Sequence, residues 1–378
     1  MAFTILSSSG NLLNLSNSST DSLIPMNYSI DETKKFVYCN YPEALTTNMF
    51  GEADKNNVCL NSVQVAAGTH QLFFSYQYND SRVENTALPP FKFGIQFFNL
   101  DSANSMQLTI LKRGDGTNHS DDMGSWLGVA GETVKDYFSY SADDPITVGK
   151  SGSYWIEKEL PIYSGLYSGL IEFSVTRPTV VSAYIYETRW KIDGTAEVIE
   201  KTSTGGQYSG YCDGYKLVSD TITINASDLA NGKKKYIKLN ANGISNLKIN
   251  NTTKNSDLLT IHLANASGTP VNVTATSSGQ NLGNWAVIYE IPIKFVNNSG
   301  NSSATFEIYA KTDTNEADEF LVINSGTDTK YAHVRNESGY YNSWRCVSVN
   351  VSTTKTDTLR YVLGTNSCKD KRLVFKLG

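Results

Sequence analysis

The chain has 378 residues, 18% of them charged, with a formal net charge of −5, 22 Tyr and five Cys. That balance excludes the basic footprint of a nucleic-acid binder, and no apolar run is long enough to cross a bilayer as a helix. The length implies two domains or one large β unit, and each half is long enough to bury a core without disulfides.

A chain rich in Asn, Ser, Thr and Tyr favours turns and half-buried strands. No window of about 11 to 18 residues carries a convincing 3.6-residue apolar period, so the reading is all-β. Strands are predicted near 23–30, 34–40, 59–65, 70–78, 91–98, 105–112, 126–137, 153–162, 169–176 and 179–188. After TRWKIDG at 188–194, too short for a floppy linker, further strands are predicted near 195–201, 215–225, 235–240, 244–249, 258–264, 270–275, 284–296, 303–311, 319–335, 343–351, 357–363 and 371–377. Many strands with Gly, Asn and Asp between them indicate sandwiches.

Four phrases recur in the same order at similar offsets. KKFVYCN (34–40) returns as KKYIKLN (234–240), and the stretch from Phe91 to Asp115 aligns without a gap on Tyr289 to Asp313. WLGVAGETVKDYF from Trp126 faces FLVINSGTDTKYAHV from Phe320, and SGSYW (151–155) faces SGYYNSW (338–344). The expectation is an internal duplication into two tandem antiparallel β-sandwiches, jelly-roll or Ig-like and of similar topology, over 1–190 and 191–378. Trp155 and Trp344 would then be equivalent core anchors.

Candidate site residues lie mostly in loops. RGDGTNHSDD (113–122) and its counterpart KTDTNEADE (311–319) gather carboxylates after corresponding strands. Asp115, Asn118, Asp121, Asp122, Asp313 and Asp318 are therefore calcium candidates, since a hard cation takes six to eight oxygens; an ordinary Asx-rich turn uses the same residues. Arg113, Gly114 and Asp115 also spell RGD, a tripeptide that recurs by chance. Tyr163, Tyr167, Tyr208, Tyr211, Tyr340 and Tyr341 stand beside Ser and Gly, a composition suited to adaptable contacts with a glycan or another subunit.

The odd cysteine count makes Cys39–Cys59 and Cys346–Cys368 candidate intradomain bridges and leaves Cys212 as a candidate for an intermolecular one. The spacings resemble no zinc site, and the four His fall in no triad or metalloprotease motif. No cofactor is expected beyond a structural calcium. The N-terminus, MAFTILSSSGNLLNL, lacks the basic head and continuous apolar stretch of a signal peptide.

Together these features predict a non-enzymatic extracellular or cell- or spore-surface structural protein, a fibre, appendage or surface-layer subunit whose partner is itself. One alternative is a carbohydrate-binding protein or adhesin using Tyr- and Trp-rich loops. A second is a carboxylate-pair glycoside hydrolase, which needs two acids facing each other across a cleft.

Overall fold

The computed structural model describes residues 4–5, 21–40, 44–46, 57–79, 91–118, 123–160, 165–187, 196–197, 209–239, 248–249, 279–280, 284–312, 317–325, 328–336, 343–363 and 371–378. In chain order the strands begin with β1 (Thr4–Ile5), β2 (Ser22–Leu23), β3 (Tyr28–Ile30), β4 (Lys35–Cys39), β5 (Ala44–Thr46), β6 (Asn57–Val65), β7 (Gly68–Asn79), β8 (Phe91–Asn99) and β9 (Met106–Thr117). Helix α1 (Met123–Ser139) precedes β10 (Ile146–Val148), β11 (Ser153–Glu159), β12 (Gly165–Val175), β13 (Thr179–Glu187), β14 (Ala196–Glu197) and β15 (Ser209–Asp213). The remainder comprises β16 (Lys216–Ser219), β17 (Ile222–Asn225), a kinked 3-10 segment (Ala226–Gly232), β18 (Lys235–Leu239), β19 (Lys248–Ile249), β20 (Gly279–Gln280) and β21 (Ile288–Val296). It closes with β22 (Ala304–Thr312), β23 (Ala317–Ser325), β24 (Asp328–Asn336), β25 (Ser343–Val351), β26 (Thr354–Leu363) and β27 (Lys371–Leu377).

These elements form two compact units. Unit 1 comprises Met1–Asp31, Tyr215–Asn246 and Leu282–Gly378; unit 2 comprises Glu32–Gly214 and Leu247–Asn281. The chain thus passes between units near residues 31, 214, 246 and 281. β15 is antiparallel to β4, so residues 209–213 belong to unit 2 with the body that β4 opens.

Unit 2 contains a sheet of order β10-β9-β12-β7-β4-β15, with β5 beside β7, and a sheet of order β11-β8-β13-β6-β14. Unit 1 contains β24-β23-β26-β21-β16-β3, with β17 beside β21 and β1 beyond β24, and β25-β22-β27-β18-β2. The protein is all-β in architecture, and its sheets are mixed where purely antiparallel ones were expected. Parallel pairs join β4 to β7, β5 to β7 and β6 to β14 in unit 2. They join β16 to β21, β17 to β21 and β18 to β2 in unit 1. Parallel neighbours need a crossover, which here runs through the other sheet: β6 intervenes between β4 and β7 in sequence and lies in the five-stranded sheet.

The strand orders of the two units can be laid over one another. Replacing β4, β5, β6 and β7 by β16, β17, β18 and β21, and β8 to β13 by β22 to β27, converts one set of orders into the other when β14 and β15 are replaced by β2 and β3. Each corresponding pair keeps its relative sense: β4–β15 and β16–β3 are both antiparallel, whereas β6–β14 and β18–β2 are both parallel.

Period-two alternation drives the core, as in β9, where Met106, Leu108 and Ile110 are buried and Gln107 and Thr109 are not. In unit 2 one apolar cluster draws on both sheets, with Phe74 of β7 against Phe93 of β8 at 4.8 Å between ring centres and Phe97 of β8 against Phe173 of β12 at 5.0 Å. In unit 1 Phe295 of β21 meets Phe306 of β22 at 5.1 Å. Rings at these separations add to the area they bury.

The stretch predicted as a strand over 126–137 is helix α1. Thr133, Val134 and Tyr137 are buried while Glu132 and Asp136 are exposed, a spacing that places one face of a helix against β9 and β12. Its seat depends on Gly114: a Cβ there would lie 1.9 Å from the Thr133 carbonyl oxygen. The Tyr137 hydroxyl donates to Gln71 Oε1 at 3.1 Å in the buried layer beneath the helix.

Candidate functional site

The two segments that precede the matching bodies, β2–β3 before β4 and β14–β15 before β16, each close a pair of sheets. All four strands stand at sheet edges in the path orders. Each segment completes the unit whose body lies elsewhere in the chain: β3 is followed by β4 yet pairs with β16, and β15 is followed by β16 yet pairs with β4. The segments therefore serve the two bodies crosswise.

In unit 1 the seat is held from end to end. Asp21 pairs with Lys234 at 3.3 Å, both largely shielded, and the Ser22 and Ile24 amides donate to the carbonyls of Lys234 and Tyr236 at 3.1 and 2.8 Å. The Asp220 amide donates to the Asn27 carbonyl, and the Ser29 hydroxyl donates to the Val218 carbonyl at 3.2 Å. Tyr28 sets its ring edge-on to Tyr289 at 5.9 Å, and burial, then the neighbouring Tyr289, pushes its phenol well above the ordinary range.

The unit 2 seat uses different side chains for the same pairing. Lys35 forms an ion pair with Asp213 and lies over the Tyr211 ring at 4.8 Å. Asn61, buried on β6, donates from Nδ2 to the carbonyls of Tyr38 and Gly210 at 3.1 and 3.0 Å, bracketing β4 and β15 from the facing sheet. His70 accepts the Lys35 amide at Nδ1 (3.0 Å) and faces the Ala66 carbonyl with Nε2 (2.9 Å), so the neutral Nε2–H tautomer fits both bonds. Burial is the main cause holding the His70 pKa below its usual value, and Lys35 and Lys34 add to it.

The predicted acidic loop is in part a strand, since β9 runs through Arg113, Gly114 and Asp115 to Thr117. Arg113 Nε donates to Asp115 Oδ1 at 2.7 Å and the Tyr167 hydroxyl donates to Oδ2 at 3.2 Å, so the RGD carboxylate is engaged within the protein. Burial works against the Arg113 charge, but the Asp115 hydrogen bond and charge outweigh it and hold the guanidinium above its ordinary pKa. Nearby, Tyr140 donates to Asp143 at 2.8 Å; burial, then that carboxylate, pushes its phenol up to about 12.

Asn118 accepts the Leu166 amide at Oδ1 (2.8 Å) and the Tyr78 hydroxyl at its carbonyl oxygen (2.5 Å). Both are long-range contacts that tie the end of β9 to β12 and β7. Asp318 lies on β23, while Asp121, Asp122 and Asp313 lie outside the described residues. Among the described residues no three His, Cys, Asp or Glu gather as a metal site.

Of the predicted contact tyrosines, Tyr167 is buried on β12, where its ring packs on Phe74 at 4.8 Å, and Tyr211 is partly buried in the unit 2 seat. Tyr163, Tyr208, Tyr340 and Tyr341 lie outside the described residues. Trp155 is half-buried against Tyr184 at 5.5 Å.

The disulfide expectation is corrected. Cys39, Cys59 and Cys212 are free thiols, and all are buried. Each of the first two thiols meets Asn61 instead: the Asn61 Nδ2 donates to Cys39 Sγ at 3.4 Å, and the Asn61 backbone carbonyl accepts from Cys59 Sγ at 3.5 Å. Cys212, only 1% exposed within β15, is shut away from any second chain. Burial is the main cause raising all three thiols, Cys39 and Cys59 to about 12. Cys346 lies on β25 with its side chain undescribed, and Cys368 lies outside the described residues.

No helix among the described residues is long and apolar enough to cross a membrane. No family model matches the chain, and no curated protein matches it. Solved structures similar to it include the PBSX exported protein XepA, at 9% identity over 85% of this chain and 86% of that one, with a TM-score of 0.16. The N-terminal CBM22-1-CBM22-2 tandem domain from Paenibacillus barcinonensis Xyn10C shares 10% identity over 80% and 81% of the two chains, with a TM-score of 0.14. The Macrobrachium rosenbergii nodavirus shares 8% over 85% and 97%, with a TM-score of 0.15. TM-scores this low establish no shared fold.

Proposed function

We propose that the chain is an internally duplicated structural protein, two β-sandwich units of one ancestral topology, that acts as a self-associating building block of an extracellular or surface assembly. The observation that carries this reading is the match of strand order and sense between the two pairs of sheets, including the edge strands contributed crosswise. Independent origins would have to arrive at the same parallel and antiparallel choices at every corresponding neighbour. The role assigned is mechanical: backbone ladders and aromatic cores give stiffness, and sheet edges supply the means of joining copies.

Negative-stain microscopy with light scattering over a concentration series tests this. Filaments, sheets or discrete oligomers are expected. Monodisperse monomers at every concentration, native and after refolding, would reject it.

A further inference from the structure

We propose that the margin of unit 2 between the edges of β9 and β11 is a binding site for a neutral saccharide, held by Arg113, Asp115, Asp143 and the rings of Tyr140 and Tyr154. The site is independent of self-association and stands or falls apart from that reading.

Period two decides which way the RGD side chains point. A Cβ at Gly114 would meet the backbone of α1 on the outer face of its sheet, so Arg113 and Asp115, one residue to either side, point the other way, between the two sheets. The Tyr167 hydroxyl that reaches Asp115 belongs to a ring packed on Phe74 of one sheet and Phe93 of the other, at 4.8 and 5.3 Å. Inward positions of a sandwich are ordinarily apolar, and an ion pair placed there is costly to desolvate. This pair keeps a way to water, its side chains being 31% and 16% exposed.

The opening follows from the topology. β10 covers β9 only over Met106–Leu108, after which the segment following α1 takes over through the Asp143 amide, bonded to the Ile110 carbonyl. β11 is the outermost strand of the facing sheet. Tyr154 shares a face of β11 with Ile156 of the interior cluster, and both Tyr154 and Tyr140 are partly buried against that cluster. Arg113 and Tyr154 each lie close enough to Tyr140 to act on its charge.

Hydrogen-bonding capacity is left over at each group. Arg113 uses Nε on Asp115, and its two Nη groups have no hydrogen bond among the described residues; the same is true of the Tyr154 hydroxyl and of Asp143 Oδ2. Asp115 balances the Arg113 charge and Asp143 adds a negative one, so no positive excess is present to hold an anion. A fixed guanidinium fork and carboxylates beside two phenol rings suit an uncharged sugar: its hydroxyls donate to the carboxylates and accept from Nη, and a C–H face rests on a ring.

An array of immobilised neutral and acidic oligosaccharides, read with the full-length protein, is the first test. Each neutral hit is then titrated against wild type, Arg113→Met and Tyr154→Ala. At least one neutral hit is expected, with affinity falling about tenfold or more in Arg113→Met, which loses charged donors, and about tenfold in Tyr154→Ala, which loses a ring and a hydroxyl. No neutral hit at millimolar concentration overturns the proposal, as does a preference for acidic sugars. So does a neutral hit that either natively folded variant binds as tightly as wild type. Where a variant loses its native circular dichroism, acetylation of wild-type tyrosines takes its place: a saturating neutral hit should shield Tyr140 and Tyr154, read by peptide mapping, and unchanged labelling of both rejects the site.

Discussion

Replacing Gly114 by Ala probes the contact that seats α1 on unit 2. The added Cβ would lie 1.9 Å from the Thr133 carbonyl oxygen and 2.6 Å from the Tyr137 amide nitrogen, so the helix must retreat by about 1.1 Å to bring the nearer contact to even 3.0 Å. The obstruction is helix backbone, which cannot rotate aside as a side chain can. Retreat strains the hydrogen bond from Tyr137 to Gln71, both fully buried, which costs about 1–3 kcal/mol if the pair is left unmade. Overpacking adds about 1–3 kcal/mol, and the lower entropy of the unfolded Ala chain offsets about 0.4–1 kcal/mol. The net expectation is a loss of about 3 kcal/mol. Urea unfolding gives the stability, and amide exchange over 129–139 shows whether the helix has lifted. A variant as stable as wild type, with helix amides equally protected, would refute the packing argument.

Three further outcomes are expected. Separate fragments 1–190 and 191–378, co-expressed with different tags, should copurify, since β14 and β15 of the second complete unit 2 and β2 and β3 of the first complete unit 1; two fragments that fold and elute independently would contradict the crosswise seats. Because His70 has a lowered folded pKa, the unfolded chain binds the extra proton first as pH falls below about 6.5; stability should drop from there down to the folded pKa, and His70→Gln should flatten that part of the urea-midpoint profile. Cys39 and Cys59, pushed up to about 12, should alkylate about a thousandfold more slowly than an ordinary thiol at pH 8, and labelling at either within minutes in native protein, read by peptide mapping, would be inconsistent with their burial.

The strand-rich character was legible because alternation is local: the start of β9 and the body of β26 can be read from their apolar spacing alone, whereas β12, buried on both faces over Gly165–Ile171, alternates only at its end. Helix α1 was not, because its Gly and β-branched residues weaken any helical signal, and what fixes it is tertiary contact with Gly114 on another element. The repeated phrases also mislead in detail. SGSYW and SGYYNSW lead into the corresponding strands β11 and β25, but KKFVYCN lies on β4 and KKYIKLN on β18, which correspond to different strands of the matched order. Any two inward-alternating strands resemble each other, so ungapped similarity slides by a whole strand without penalty. The Asn61 bracket was likewise invisible, since its partners on β4 and β15 are set by the packing of the facing sheets; the Arg113–Asp115 pair is local, two residues apart on one face of β9, and follows once that stretch is a strand and not a loop.

The crosswise edge strands bear on why the sheets do not present all their edges to other chains. An exposed edge is a template for indiscriminate pairing. On the unit 2 edge strand β11 the remedy is charge: Glu157, Lys158 and Glu159 are exposed, and Glu157 is drawn to Lys92 at 3.6 Å. On the β4 and β16 flanks the remedy is a covering strand from a distant part of the same chain, with a side-chain lock specific to each seat, Lys35 with Asp213 in one and Asp21 with Lys234 in the other. Charge acts on every partner alike, whereas each covering strand is fixed by contacts particular to its own seat and itself becomes the outer strand of its sheet.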